Sequence, residues 1–247
     1  METEKPEAGS RRPEAGSQKP EADEKPFRFG VVLLAAGASV RMGAPKQLIE
    51  VGGKALMVRA VEAALASAAW PVVVVLGANA EKIRPVLARL PVLIAENPAW
   101  TEGMASSLRT GLQTLKSFSR AIDGVLLAVA DQPAFSAEVI ARLVAFRHGS
   151  TQAVRHGSRQ AVQIGTPPTT WSIVAAHYAG RLGVPALFGR EHFAALAALT
   201  GEEGARHYLA AQAAETAAVD LPELAVDLDT PEDLARLAAE AVAGQKY

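Results

Sequence analysis

Arg41 stands two residues after Ser39, and Lys46 five residues later, at the end of a run of small residues, Ala36-Gly37-Ala38-Ser39. Small residues leave backbone N–H groups bare enough to approach an anion, and two permanent cations so close in sequence can close over the same anion. That combination suits a triphosphate. Two carboxylates could complete such a site: Asp131, directly after the apolar run GVLLAVA, and Asp229, after the short stretch Val226-Asp227-Leu228. A magnesium ion takes oxygen ligands and bridges one or two carboxylates to phosphate. Each acid also has a plainer reading. Asp131 could cap the next turn, and Asp229 could share a helix cap with Asp227 and Thr230.

The elements that must place these residues follow from the apolar pattern. Residues 31–35, 71–76, 92–95 and 124–130 read as short strands, the apolar runs among them as strands buried on both faces. Between them, 54–68 carries the helical stripe Leu56, Val58, Val61, Leu65, and 80–90 reads as a helix despite Pro85. The segment ENPAWTEGMASSLRTGL reads as a loop entering a helix, and a further helix is expected over 136–146 with Ser136 as its N-cap. Alternating strand and helix predicts an α/β fold with a doubly wound, mostly parallel sheet. In such sheets ligands sit beyond the carboxyl ends of the strands, where both the small-residue turn and Asp131 fall. The pattern fails over 148–170, which reads as a small antiparallel excursion or β-ribbon. Beyond it come SIVAAHY and GRLGVPALF, a helix through Phe193 and Leu196 to Leu199, and another beginning near Glu203. A last short strand is expected over 226–229, and Thr230-Pro231-Glu232-Asp233 reads as a helix start.

The chain of 247 residues is 49% hydrophobic, enough for a sizeable core. Residues 1–26, with PEAGS at Pro6 and Pro13 and KPEA at Lys19, read as a disordered tail, leaving 27–247 as a single domain. A net charge of −1 points away from nucleic acid as a partner. With no cysteine there is no disulfide, thiolate metal site or cysteine nucleophile. No apolar run reaches the roughly 18 residues of a membrane span, so a soluble, cytoplasmic protein is expected. The five histidines show no catalytic pairing and read as surface or packing residues. Neither common glycine motif is met: G-x-G-x-x-G is absent, and Gly37 and Gly43 are too far apart for a P-loop, with Ala44 where its lysine would stand.

LAAGASVRMGAPKQL, residues 34–48, resembles the L-A-A-G-x-S-x-R-M-G-x-x-K signature of the MobA-like nucleotidyltransferases. Asn97-Pro98 with EGMASSLRTGL, then ADQP, GVPALFGREHF, TGEEGAR and DLDTPEDL, resemble segments of its molybdenum cofactor cytidylyltransferase branch in the same order. The resemblance covers roughly 27–237. It implies a Rossmann-like nucleotidyltransferase fold and transfer of CMP from CTP to the terminal phosphate of a phosphorylated pterin, molybdenum-molybdopterin, with release of pyrophosphate. It implies backbone contacts to the nucleotide from Leu34, Ala35, Ala36, Gly37 and Ser39, phosphate contacts from Arg41 and Lys46, and magnesium on Asp131 and Asp229. Gly77, Asn97 and Ser107 would lie near base and ribose, and Pro185, Phe188, Gly204 and Arg206 near the acceptor. Ala36, where the guanylyl branch usually has glycine, and Gln132 after Asp131 both favour CTP.

Two features depart from the family pattern: the 148–170 insertion, and Val184 where histidine is frequent. Pro45-Lys46-Gln47 also resembles sugar-phosphate and methylerythritol-phosphate cytidylyltransferases, which leaves another phosphorylated acceptor as an alternative. A non-catalytic nucleotide-binding chaperone for a client molybdoenzyme, tethered by the N-terminal tail, is a further one.

Overall fold

β1 (Phe29–Ala35) is apolar along its whole length because both of its faces are covered, and six of its seven residues are buried. The computed structural model describes residues 26–148, 170–226, 228, 230 and 232–236. In it β1 lies between two parallel neighbours, β4 (Val72–Leu76) and β6 (Gly124–Val129), with Val31 opposite Val72 on one side and Leu126 on the other. The remaining strands of this sheet are β5 (Leu93–Glu96), β7 (Ile173–Tyr178), β8 (Arg181–Gly189) and β9 (Thr216–Asp220), in the spatial order β5-β4-β1-β6-β8-β7-β9. Only β8 runs against its neighbours, β6 and β7. β9 closes the far edge, parallel to β7.

Side chains alternate across the sheet and seed two cores. Val31, Leu33 and Ala35 of β1 join α1 (Leu56–Leu65), α2 (Ala80–Leu87) and α4 (Ala137–Arg147) on one face. Val32 joins α3 (Met104–Phe118), α5 (Phe193–Ala197) and α6 (Ala205–Ala211) on the other. Ser136 caps α4 as expected, its Oγ accepting from the Val139 N–H at 3.3 Å. At the base of the sheet Arg28 donates from its backbone N–H, Nε and Nη2 to the Asp123 carboxylate, which ties the start of β1 to the start of β6. The side-chain hydrogen bond from Arg28 also holds the Asp123 carboxyl below its usual pKa.

The α/β, doubly wound reading therefore stands, with four corrections to its details. Lys54 and Ala55 do not begin a helix. They form β3 (Lys54–Ala55), which pairs antiparallel with β2 (Glu50–Val51) across Gly52 and Gly53, whose φ values of +63° and +76° are those of a primed hairpin turn. Helix α2 ends at Leu87, two residues past Pro85. After α6 and a short 3-10 turn at Ala213–Glu215, β9 is a strand that the sequence pattern does not announce, with Thr216, Ala217 and Val219 buried. Val226 and Leu228 belong to no strand. Residues 1–25 of the tail expected over 1–26, and residues 149–169 of the excursion expected over 148–170, lie outside the described residues. No described helix is long and apolar enough to cross a membrane.

Helix α3 approaches the sheet closely at Gly111, where a Cβ would stand 2.4 Å from Val32 Cγ1 and 2.9 Å from Val75 Cγ2. Both are stiff β-branched side chains that cannot swing aside. Gly111→Val is expected to cost about 1–3 kcal/mol by overpacking. Thermal unfolding should show it as a Tm lower by roughly 2–4 °C per kcal/mol. An unchanged Tm would mean that α3 can back away from β1 and β4 freely.

Candidate active site

The carboxyl ends of β1 and β6 lie side by side, since Leu34 pairs with Val129, and a cleft of about 330 Å³ opens just beyond them. Leu34, Ala35, Ala36, Gly37 and Ala38 enter it from the end of β1, and Val129, Ala130 and Asp131 from the end of β6. The first turns of α3 contribute Gly103, Met104 and Ser107, and the turn before it Trp100 and Thr101. Among the residues expected from sequence, Leu34, Ala35, Ala36, Gly37, Lys46, Ser107 and Asp131 line this cleft.

Its charged centre is a pair. Lys46 Nζ donates to Asp131 Oδ2, joining residues 85 positions apart. Both side chains are more than four-fifths buried. The other carboxylate oxygen, Asp131 Oδ1, is buried with no hydrogen-bond partner among the described residues. A buried, unpaired carboxylate oxygen is costly to the fold, and an oxygen of this kind is the donor that a hard divalent cation takes. The carboxylate therefore fits a divalent ion. Among the described residues no group of three or more His, Cys, Asp or Glu side chains gathers to hold one by itself. Asp229, the expected second ligand, lies outside the described residues, but Leu228 before it donates its N–H to the Asp131 carbonyl at 3.2 Å.

Lys46 is held in place from below. Its backbone N–H donates to Ser39 Oγ at 3.1 Å, and Ser39 is one of two non-glycine residues with positive φ among the described residues, at 54°. Gln47, which is 2% exposed, donates from Nε2 to the Ala35 carbonyl at 3.1 Å and accepts from Ser39 Oγ at 3.4 Å. Gln47 thus pins the cation-bearing turn to the end of β1. Its place in Pro45-Lys46-Gln47 does not by itself predict that role. A polar residue between a cation and an apolar stretch was the available signal. Trp100, Thr101, Met104 and Glu202 also line the cleft; they fall in the segments ENPAWTEGMASSLRTGL and TGEEGAR, but no site role is expected of them individually. For Arg41 the structure gives only its place in the turn Val40–Met42.

Three expected contacts, Gly77, Asn97 and Ser39, are not among the residues that line the cleft. Gly77 has no room for a side chain, since a Cβ would stand 2.7 Å from the Ala36 carbonyl oxygen and 2.8 Å from Trp100 Cβ. Asn97 is buried, and its Nδ2 donates to Ser106 Oγ at 2.8 Å and Ser107 Oγ at 2.9 Å, while Oδ1 accepts from the Ala99 N–H. Both of its N–H donors are used to join the end of β5 to α3, so it shapes the wall through Ser107. Ser39 likewise acts through Lys46 and Gln47.

The expected acceptor residues are not brought together. Phe188 is fully buried within β8, paired with Val125 and Ile173, and its ring lies near those of His192 and Tyr208. It is a core residue, because β8 is covered on both faces. Pro185 is also buried in β8. Gly204 lies under Met104, 2.5 Å from its Sδ to a Cβ position, and Arg206 is exposed on α6. Gly204 thus lies against Met104, a residue of the cleft.

The histidines behave as packing and surface groups where they are described. His192 is buried with Nδ1 2.8 Å from the Tyr208 hydroxyl oxygen, and burial lowers its pKa while raising that of Tyr208. His148 and His207 are exposed, His177 is half-buried, and His156 lies outside the described residues.

Comparison with known proteins gives a family for the whole sheet. The family described as MobA-like NTP transferase domain matches residues 31–218. Nicotine blue oxidoreductase of Paenarthrobacter nicotinovorans is 37% identical over 114 residues, a match spanning 46% of this chain and only 54% of that protein. The crystal structure of a Mycobacterium sp. strain JC1 homologue of a Mycobacterium tuberculosis protein superposes with a TM-score of 0.67 at 25% identity, covering 88% of this chain and 98% of that one. Molybdopterin-guanine dinucleotide biosynthesis protein A of Archaeoglobus fulgidus shares the fold with a TM-score of 0.55 at 13% identity, over 87% and 99% of the two chains. With its family match spanning the sheet from β1 into β9 and the cleft between them, this chain belongs to the MobA-like NTP transferase family.

Proposed function

We propose that the protein is a cytidylyltransferase that passes CMP from CTP to the terminal phosphate of molybdenum-molybdopterin and releases pyrophosphate. The observation that carries this reading is the meeting of Lys46 and Asp131 at the carboxyl ends of β1 and β6, with one Asp131 oxygen buried and unpaired. Family membership supports nucleotidyl transfer. The choice of CTP rests on Ala36 and Gln132, and the choice of a pterin phosphate rests on the order of the motifs from Asn97 to Leu234.

In this reading the acceptor phosphate oxygen attacks the α-phosphorus of CTP as the bond from that phosphorus to the bridging oxygen breaks, and pyrophosphate carries the electron pair away. Positioning and charge neutralisation suffice for such a transfer, without a covalent protein intermediate. Backbone from Ala35 to Gly37 lies against the phosphates, and Lys46, with Arg41, neutralises charge developing on pyrophosphate. Asp131, together with Asp229, would hold magnesium. When bound, that ion supplies further neutralisation at the reacting phosphates. Ser107 and the Trp100-Thr101 turn border the nucleoside. A phosphate monoester is already ionised near neutral pH, so none of the histidines is needed as a base.

The 37% identity to nicotine blue oxidoreductase favours a second reading, a redox conversion in the same cleft. Release of pyrophosphate from CTP against GTP, with and without molybdenum cofactor, separates the two. Cofactor-dependent release from CTP is expected. A chain that converts nicotine blue and releases no pyrophosphate would carry the second activity, and a chain that binds CTP without turnover would be a chaperone. CTP turnover with a sugar phosphate or methylerythritol phosphate alone would change the acceptor.

Asp131→Asn keeps the side chain's shape and removes its charge. It is expected to lower kcat for pyrophosphate release by about 100-fold or more, the usual loss for one charge-stabilising group. Retention of full activity would remove Asp131 from the site. Lys46→Gln is expected to raise KM for CTP by about tenfold or more while the circular dichroism spectrum stays unchanged, a loss of roughly 1.4 kcal/mol in binding. An unaltered dependence on CTP concentration would show that Lys46 serves only as a structural partner of Asp131.

A further inference from the structure

Gln132, the residue after Asp131, is 4% exposed and occupies a crossroads. Its Nε2 donates one proton to the Tyr178 hydroxyl at 3.1 Å and the other to the Leu224 carbonyl at 3.3 Å. The Tyr178 hydroxyl in turn donates to the Val184 carbonyl at 2.9 Å, in β8 beside Pro185. Room for that hydroxyl is left by Gly183, where a Cβ would stand 2.5 Å from the Tyr178 oxygen. The amide cannot be turned over, since Leu224 offers only an acceptor and a rotated Gln132 would oppose it oxygen to oxygen. The orientation so enforced leaves Gln132 Oε1 buried without a partner among the described residues.

A side chain kept only for packing would have no reason to bury an unpaired acceptor, because an apolar residue of the same shape avoids that cost. The two N–H groups must therefore serve a purpose at this position. What they join is specific: the residue next to Asp131, the end of β7, the β8 strand at Val184, and the 222–225 turn that leads to Leu228. Leu228 closes the circuit by donating its N–H to the Asp131 carbonyl. Asp131 is thus gripped on both sides of its own peptide, by Leu228 at its carbonyl and by Gln132 through the following side chain.

We infer that Gln132 and Tyr178 are positioning residues that fix the Asp131 carboxylate for a divalent cation and couple it to strand β8. This inference rests on the reading of Asp131 as a metal ligand. The test uses the full chain, with manganese(II) as the probe and binding read as the loss of the free ion's electron paramagnetic resonance signal beyond that in a protein-free solution of the same manganese and CTP, since the triphosphate itself takes up the ion. Tyr178→Phe removes one hydroxyl and keeps the ring. It is expected to weaken manganese binding by about tenfold and to raise, by a similar factor, the metal concentration giving half-maximal pyrophosphate release, at a temperature where circular dichroism shows a folded chain. A role in stability alone would lower Tm and leave manganese affinity untouched. Gln132→Glu, which replaces an N–H donor with an acceptor facing Leu224, is expected to lose more than Tyr178→Phe. Manganese affinity within twofold of wild type in Tyr178→Phe overturns the inference and leaves the function standing. A wild-type chain that binds no manganese with CTP overturns both.

Discussion

Everything in the candidate site depends on two parallel strands ending together. β1 and β6 are hydrogen-bonded in register from Phe29 and Gly124 to Leu34 and Val129, so the residues after them leave the sheet at one level. Lys46 and Asp131, distant in sequence, meet because each is a short connection away from one of those two ends. A shift of either strand by one residue would turn its side chains to the opposite face and carry its loop away from the other. The interlocking apolar faces prevent that shift: β1 contributes Val31, Leu33 and Ala35 to one core and Val32 to the other, and neither set tolerates exchange. The burial of apolar side chains is thus what aligns the charges.

The same dependence explains which parts were legible in the sequence. Runs such as VVVVL and GVLLAV, short, rich in β-branched residues and bounded by turn residues, read as buried strands, and the residues just past the carboxyl end of such a strand in an open α/β sheet lie at the ligand-binding edge. The small-residue turn after β1 and Asp131 after β6 were therefore readable from apolar pattern and position, while Leu34 and Ala35 came only with the family resemblance. Strand β9 was not. TAAVD lacks the bulky apolar run of an inner strand, and its alanines continue the composition of the helix before it, so only pairing with β7 defines it. The hairpin of β2 and β3 is held by two glycines at positive φ and two residues on each side, too short to show a period.

Side-chain roles were less legible than elements because a motif records which residues occur together, not which way each one faces. Asn97 and Ser107 occur in one segment, yet one is spent inside the wall and the other lines the cleft. Phe188 sits in a distinctive stretch of sequence and turns out to be a core residue, since β8 has no solvent face at that point. Gln47 shows the reverse case. Nothing in its type marks it as central, but its contacts with Ala35 and Ser39 fix where Lys46 begins.

The approach of Gly103 to Gly201 has a consequence for how this fold can diversify. A Cβ at position 103 would stand 2.3 Å from the Gly201 carbonyl oxygen, and that same oxygen accepts from the Ala105 N–H at 3.1 Å. Both glycines also hold positive φ, at 103° and 56°. The loop bearing Glu202 and the start of α3 bearing Met104 are therefore one jointed wall, and neither backbone can drift during descent without the other. Exchanging the side chains at positions 101, 104 and 202, which project from this wall into the cleft, reshapes the cleft while leaving the joint itself in place. The wall is a fixed frame with interchangeable fittings.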